Sequence, residues 1–216
     1  MALYKPEIFD VTSLELAKGW ILTPEEGIST EERWLKETPW TAQAFIDQCG
    51  VKPNQVIIDY GCGVGRLAKE VLRRIDVQII GVDISANMMK MATEYVSDPR
   101  FSVIHRDLFI EQVDAGHIRA HHGYAVYVLQ HAFDPAQDIR TLSKAVDNLF
   151  FLNNAARAVP VHADDAICRW ATDGVDVADL CAKAFKKSSP FALDYTHITN
   201  LPVGLVATVF SHLTID

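Results

Sequence analysis

Cysteine is scarce in this sequence, and its four residues, at 49, 62, 168 and 181, form no C-x-x-C pair. That spacing excludes a thiolate zinc knuckle and a disulfide scaffold; it predicts free thiols in a reducing, cytoplasmic compartment. Positive charge is in deficit. Twenty Lys+Arg stand against 28 Asp+Glu, a net charge of −8. Such a balance repels phosphate backbones, so nucleic acid is not an expected partner. No apolar run approaches the roughly 18 residues of a membrane span, and no membrane association is expected. The N-terminus lacks the basic, then apolar, then small-residue order of a secretory signal. The His121–His122 pair has no Cys or acidic residue nearby at ligand spacing, so no metal site is expected.

What is present is an ordinary globular composition, 49% hydrophobic and 22% charged over 216 residues, enough for one domain and a small appendage. Residues 1–50 read as a helical extension. Thr12 or Ser13 caps a helix that ends at Gly19. Ser29-Thr30-Glu31-Glu32 is a capping box, a hydroxyl followed three residues later by a carboxylate. Thr38-Pro39 offers a further N-cap and first-turn proline for a helix stopping at Gly50.

From residue 51 onward strands alternate with helices. Strands are expected at 56–58, 77–82, 101–105, 124–129, 148–152, 191–199 and 203–212. Helices are expected at 66–74, after Ser85, from Pro135 to about Val146, and from Asp164 or Asp165, with a break at Asp173-Gly174, through Lys186. Strands apolar on both faces and separated by helices predict an α/β fold with a mostly parallel sheet covered on two sides. The last two strands are too close for a parallel crossover and should pair antiparallel.

The most informative stretch is Val56-Ile57-Ile58-Asp59-Tyr60-Gly61-Cys62-Gly63-Val64-Gly65-Arg66. A strand ends in an acid, glycines alternate, and a helix begins. Glycines there admit unusual backbone angles and let a ligand approach the main chain. The dinucleotide fingerprint GxGxxG is not matched, because Arg66 occupies its third glycine position, which argues against a nicotinamide oxidoreductase. The second strand ends in Asp83, placed to accept both hydroxyls of a ribose. The third is followed by Asp107. Each acid alone could simply cap the next helix; three in register with the glycine turn point to a ligand site. Cys62, inside the turn, reads as a small tolerated side chain.

These motifs resemble the class I S-adenosylmethionine-dependent methyltransferase family, well over residues 50–155 and more loosely beyond. The resemblance implies a Rossmann-like sheet of seven strands in the order 3-2-1-4-5-7-6, with the seventh antiparallel. It implies S-adenosylmethionine as cofactor, with Gly61, Gly63 and Gly65 along its methionine portion and Asp59 orienting its ammonium group directly or through water. Asp83 would take the ribose, Ile84 and Met88 the adenine faces, and Asp107 with Leu108 the adenine edge. Val128-Leu129-Gln130-His131 resembles the stretch that closes over the sulfonium. An acidic rim suits a cationic ligand without phosphate. Two departures are His121-His122 where the family usually carries an acid, and Val146-Asp147-Asn148 in place of a glycine-rich turn. Met88 can equally serve as core filler.

Methyl transfer requires alignment of donor and acceptor and, for some acceptors, removal of a proton. His131 is either a general base or a structural histidine. Arg157 either clamps a substrate carboxylate or is a solvated loop charge, and Asn153 and Asn154 are substrate contacts or turn residues. Trp34, with Tyr4 and Trp170 near the same edge, either closes over the acceptor or anchors helices; Trp40 and Tyr127 read as core. The expected activity is methyl transfer to a small-molecule O, N or C acceptor by a monomer or homodimer. The alternative is a non-catalytic S-adenosylmethionine-binding sensor or subunit.

Overall fold

Val56, Ile57 and Ile58 begin the central strand, and the two isoleucines are fully buried. Ile57 packs into the cluster on one face of the sheet and Ile58 into the cluster on the other. That two-sided burial is what a parallel sheet between helical layers demands. The computed structural model describes residues 4–24, 27–162, 168–192 and 205–212. In chain order its elements are α1 (Leu14–Ile21), α2 (Thr30–Cys49), β1 (Val56–Tyr60), α3 (Arg66–Arg74), β2 (Gln78–Asp83), α4 (Ala86–Val96), β3 (Phe101–His105), α5 (Arg106–Asp114), β4 (Ala120–Val126), α6 (Pro135–Ala145), β5 (Val146–Asn154), β6 (Val159–His162), β7 (Cys168–Ala171), α7 (Val177–Ala184), β8 (Lys187–Pro190) and β9 (Leu205–Ser211). Short 3-10 turns lie at Pro6–Phe9 and Leu129–His131.

The main sheet has seven strands in the order β3-β2-β1-β4-β5-β9-β8. β1 to β5 are parallel, and β9 runs antiparallel to both β5 and β8. This is the Rossmann-like order expected, with β8 and β9 as the sixth and seventh strands of the sheet. β6 and β7 form a separate antiparallel pair inserted after β5. Along β5 the side chains alternate, with Leu149 and Phe151 in one cluster and Phe150 and Leu152 in the other. A third cluster joins Ala17, Leu22 and Trp34 of the N-terminal helices to Val64 and Met88 beside the glycine turn. Among the described residues, no helix is long and apolar enough to cross a membrane.

Several boundaries differ from expectation. α1 continues through Gly19 to Ile21, with Ser13 as its cap. No new helix starts at Thr38-Pro39; α2 runs through the proline from the Ser29 capping box to a left-handed Gly50. Its buried stripe of Trp34, Thr38, Thr41, Ala42 and Phe45 is continuous across the break. The carbonyl that Pro39 cannot serve belongs to Leu35, on the exposed face. β4 begins and ends early, because Tyr127 turns the chain with φ 58°, an uncommon value for a residue with a Cβ. α5 has no counterpart in the sequence reading. Residues 168–171 are strand rather than helix, and 163–167 lie outside the described residues. The strand expected at 191–199 falls mostly outside them too, and β8 holds the sheet edge instead.

Candidate active site

At the carboxyl ends of the parallel strands the chain encloses a cavity of about 810 Å³. That edge is where ligands bind in open α/β sheets. Its inner floor is the glycine turn. Gly61 and Cys62 donate their amides to the Val82 carbonyl at 2.8 and 3.0 Å, which locks the turn to the end of β2. Gly61 has φ 73°, and a Cβ there would lie 2.2 Å from Val128 Cγ2. A side chain is therefore excluded on both backbone and packing grounds.

Asp83 braces the same turn. One of its oxygens accepts from the Gly63 amide at 2.8 Å and the other from the Ser85 amide at 2.9 Å. Burial pushes its carboxyl above the usual range, and those backbone donors pull the other way. Ser85 caps α4 and also donates to Asp10 at 2.6 Å, so the N-terminal segment is tied to the start of that helix. Asp59 lies beneath the turn rather than on the cavity surface, 4% exposed, and its Oδ2 has no hydrogen-bond partner. Burial pushes its carboxyl up to about 7, against the opposing pull of the Tyr124 hydroxyl and the Arg66 guanidinium.

Gly61, Gly63, Asp83, Ile84, Met88 and Asp107 all line the cavity. Gly65 does not; it packs against Val96 and Ala92, where a Cβ would come within 2.4 Å of Val96 Cγ2. Leu108 is 46% exposed and also stays outside the lining. Asp107 is exposed at the start of α5 and accepts from Arg106 at 2.9 Å. Arg106 in turn bonds Gln137 and the buried Asp138 of α6.

Beyond Tyr127 the cavity continues to His131. Among the described residues the ring's Nδ1 faces the Ala158 carbonyl at 2.6 Å. A carbonyl only accepts, so Nδ1 carries the proton. The Gln130 side chain accepts the Asn154 amide at its oxygen, at 2.6 Å, which leaves its NH2 to donate to His131 Nε2 at 2.9 Å. The tautomer and the orientation of both side chains follow from these contacts. Burial lowers the His131 pKa, and the Ala158 carbonyl opposes that shift.

Asn154 lines the cavity, but three other residues read as substrate contacts do not reach it. Asn153 is buried; its amide donates to the Leu152 carbonyl and accepts from the Gln130 amide, both at 3.0 Å. Arg157 is 4% exposed and grips Asp173 with its Nε at 3.0 and 3.1 Å, while its other nitrogens reach the Leu129 and Phe133 carbonyls. It ties the two ends of the β6–β7 insertion to the turn after β4. Trp34 is an anchor, donating to the Tyr95 hydroxyl and lying beneath the Lys18 and Arg66 cations. Three cavity aromatics escaped the sequence reading: Phe9, Trp20 and Phe133. Nothing in their local sequence marks them. Among the described residues, no cluster of His, Cys, Asp or Glu is suited to a metal.

An acid one residue before the end of the first strand, a glycine turn held by the acid that ends the second, and this sheet order describe an α/β domain with its ligand cavity at the carboxyl ends of the strands. Residues 57–150 match the family model described as a methyltransferase domain. Phosphoethanolamine N-methyltransferase 3 of Arabidopsis thaliana is 35% identical over 63 residues, 29% of this chain and 13% of that protein. Ubiquinone biosynthesis O-methyltransferase of Alkalilimnicola ehrlichii is 27% identical over 104 residues, 47% of this chain and 42% of that one. The matched region thus spans less than half of either relative. The solved N-terminal domain of EvdMO1 with SAH bound shares the fold at a TM-score of 0.60, with 13% identity over 87% of this chain and 89% of that chain. Residues 57–150, a little under half of the chain, thus match a methyltransferase domain, and the cofactor this match implies is S-adenosylmethionine.

The residues present fit that cofactor. Asp83 offers carboxylate oxygens beside Ile84 and Met88, the Gly61–Gly63 backbone is bare where a ligand must approach closely, and the unpartnered Asp59 oxygen lies beneath the turn.

Proposed function

We propose that this protein transfers the methyl group of S-adenosylmethionine to a small-molecule acceptor by in-line displacement. One arrangement carries the reading: Asp83 clamps the Gly63 amide at the floor of a cavity that continues past Tyr127 to His131. At about 810 Å³ the cavity lies high in the range of roughly 300–1,000 Å³ for small-molecule sites, with room for donor and acceptor together.

When bound, the cofactor supplies an electrophilic methyl carbon whose bond to sulfur breaks, leaving the electron pair on sulfur, as the acceptor's lone pair bonds to carbon. Asp83 holds the ribose hydroxyls and keeps the glycine turn in place. Ile84 and Met88 flank the adenine, with Asp107 at its edge. Asp59, under the turn, favours the cationic methionine end through its field or a water. Gly65 contributes by packing, and Leu108 stays outside the lining. Tyr127 and Val128, which line the cavity, would shield the transferred methyl from water. Tyr4, Phe9, Trp20, Ile21 and Arg33 line one side of the cavity, which suits residues 1–50 as a lid over the methyltransferase domain at 51–216. Buried free thiols at Cys62 and Cys181 suit a cytoplasmic site of action.

His131 Nε2 is the candidate proton acceptor, and it takes the acceptor's proton once the Gln130 amide exchanges away. That engagement also favours a second reading, a cofactor-binding subunit without turnover, because no basic nitrogen of His131 is free. Calorimetric titration with S-adenosylhomocysteine (SAH), run beside NAD, tests the first step. SAH binding alone, at micromolar level, is the expected result. Binding of neither ligand, or of NAD, rejects the cofactor assignment. Turnover against a panel of hydroxyl, amine and carbon acceptors separates the enzyme from the binding subunit.

A further inference from the structure

The far half of the cavity is aromatic. Tyr4, Phe9 and Trp20 come from the N-terminal segment, His131 and Phe133 from the turn after β4, and Trp170 from β7. They form one connected wall. Phe9 lies 6.3 Å from Trp20, 6.0 Å from His131 and 6.3 Å from Trp170 by ring centroids, and His131 lies 5.0 Å from Trp170. Tyr4 packs tilted against Phe133 at 5.2 Å and joins the pair to the wall by donating its hydroxyl to the His131 carbonyl at 3.2 Å. Main-chain pairing fixes the arrangement: Tyr4 bridges to Val161, and the Lys5 amide donates to the Pro160 carbonyl at 2.9 Å. The strap before α1 is thereby bridged to the edge of the β6–β7 pair. Despite that order, Phe133 is 71%, Trp170 46% and Trp20 38% exposed. Large aromatic faces left open to water in a concave site lose free energy that a flat apolar guest recovers.

The charges around this wall exclude one kind of guest. Among the described residues that line the cavity, only Arg33 and Arg106 are permanent cations, and no lysine is present. Arg33 is buried against Glu37, with the Thr23 carbonyl as a further partner. Arg106 is held by Asp138, Asp107 and Gln137. Four carboxylates line the cavity, Asp83 and Asp107 among the proposed cofactor contacts and Asp134 and Asp138 apart from them. A phosphate or carboxylate would meet neutralised cations and surplus negative charge.

We infer that the acceptor is a planar, uncharged, apolar molecule, an aromatic or heteroaromatic ring bound against Phe9 and Trp170, and not a phosphorylated one. This rests on the methyl-transfer reading, and it separates this protein from its phosphoethanolamine-methylating relatives, whose names state a phosphate-bearing substrate.

The test uses the whole chain, first titrated with SAH and then, loaded with SAH near neutral pH, with 2-naphthol, 2-naphthyl phosphate and phosphoethanolamine, read by calorimetry. The first two probes share a ring and differ in the phosphate. The expected result is that naphthol binds roughly tenfold or more tightly than either phosphorylated probe. Trp170→Ala and Phe133→Ala should each weaken naphthol by roughly five- to tenfold with SAH affinity unchanged. Phe133 is the surface position of the two, so its variant stays informative should Trp170→Ala disturb the hairpin. Equal or tighter binding of naphthyl phosphate, or naphthol binding indifferent to both substitutions, overturns the acceptor class while leaving the cofactor reading intact. Failure to bind SAH at all overturns the methyl-transfer reading and the acceptor assignment with it.

Discussion

The two halves of the cavity are built in opposite ways. The half proposed for the cofactor comes from short, consecutive stretches: Gly61 and Gly63 follow β1, Asp83 ends β2, and Ile84 and Met88 come just after it. Its hydrogen bonds run between adjacent strand ends, such as Gly61 to Val82 and Gly63 to Asp83. The acceptor half is assembled from Tyr4, His131 and Trp170, which meet only through tertiary contacts. A conserved chemistry needs one fixed cradle, which local backbone geometry can specify. An acceptor chamber can vary with the loops and insertions that supply it, as functional loops on rigid scaffolds do. The comparison predicts that substitutions divide cleanly into those that lose SAH and those that lose the acceptor.

The largest effect is expected at Gly61. Alanine there must adopt a left-handed backbone, at about 1–2 kcal/mol, and displace Val128, at about 1–3 kcal/mol more. Gly61→Ala should abolish measurable SAH binding in calorimetry and lower the melting temperature. Normal SAH affinity in a normally stable variant would show that the turn is not the cradle.

Next comes pH. The buried Asp59 carboxyl titrates near about 7, above its ordinary value. A carboxyl so raised holds its proton more tightly in the folded than in the unfolded chain. Its contribution to stability is complete below about pH 4 and is lost as pH rises through about 7, on the order of a few kcal/mol. Thermal melts of the free protein should therefore show a slope of that sign between these limits, and Asp59→Asn should flatten it. A bound ammonium favours the ionised carboxylate, so SAH affinity should rise over the same interval in the parent and not in the variant.

Asp83→Ala should weaken SAH by roughly 1.5–3 kcal/mol through loss of charge-assisted bonds, with part of the loss arising from the unpartnered Gly63 amide. On the other side of the comparison, Asp173→Ala removes the acidic partner of Arg157. Among the described residues it leaves the buried guanidinium with two long carbonyl contacts, and about 1–3 kcal/mol of stability should be lost. Acceptor-probe affinity should fall with it, since Arg157 ties the β6–β7 hairpin to the turn that carries His131, while SAH affinity stays within about twofold.

The same division explains what could be read from the sequence. Asp59 with the glycine turn lies at the end of one strand and Asp83 at the end of the next, so their types and spacing already mark a ligand edge. The mostly parallel, two-sided sheet was legible in the alternation of apolar strands and helices, whereas its strand order was implied only by the family resemblance. Pro39 misled because a local stop signal was overridden by the continuous buried stripe from Trp34 to Phe45. Arg157 and Asn153 misled because a residue leaving the sheet at the active-site edge can turn either into the cavity or under it. Burial with an internal partner decided both cases. Phe9 and Phe133 carried no signal at all, since an aromatic in a short turn becomes a wall only when distant segments meet around it.

The smallest expected effect is the sharpest check on the border of the cofactor half. Asp107 and Leu108 are neighbours at the start of α5, yet only Asp107 reaches the cavity. Its carboxylate is exposed and already engaged by Arg106, so solvent and that cation screen what it can offer a ligand. Asp107→Ala should cost SAH binding no more than about 1 kcal/mol. Leu108 points its side chain away from the lining, and Leu108→Ala should change SAH affinity by less than about 0.5 kcal/mol. A larger loss at Leu108 than at Asp107 would mean that α5 shifts on ligand binding and brings Leu108 onto the adenine edge, extending the locally encoded half by one residue.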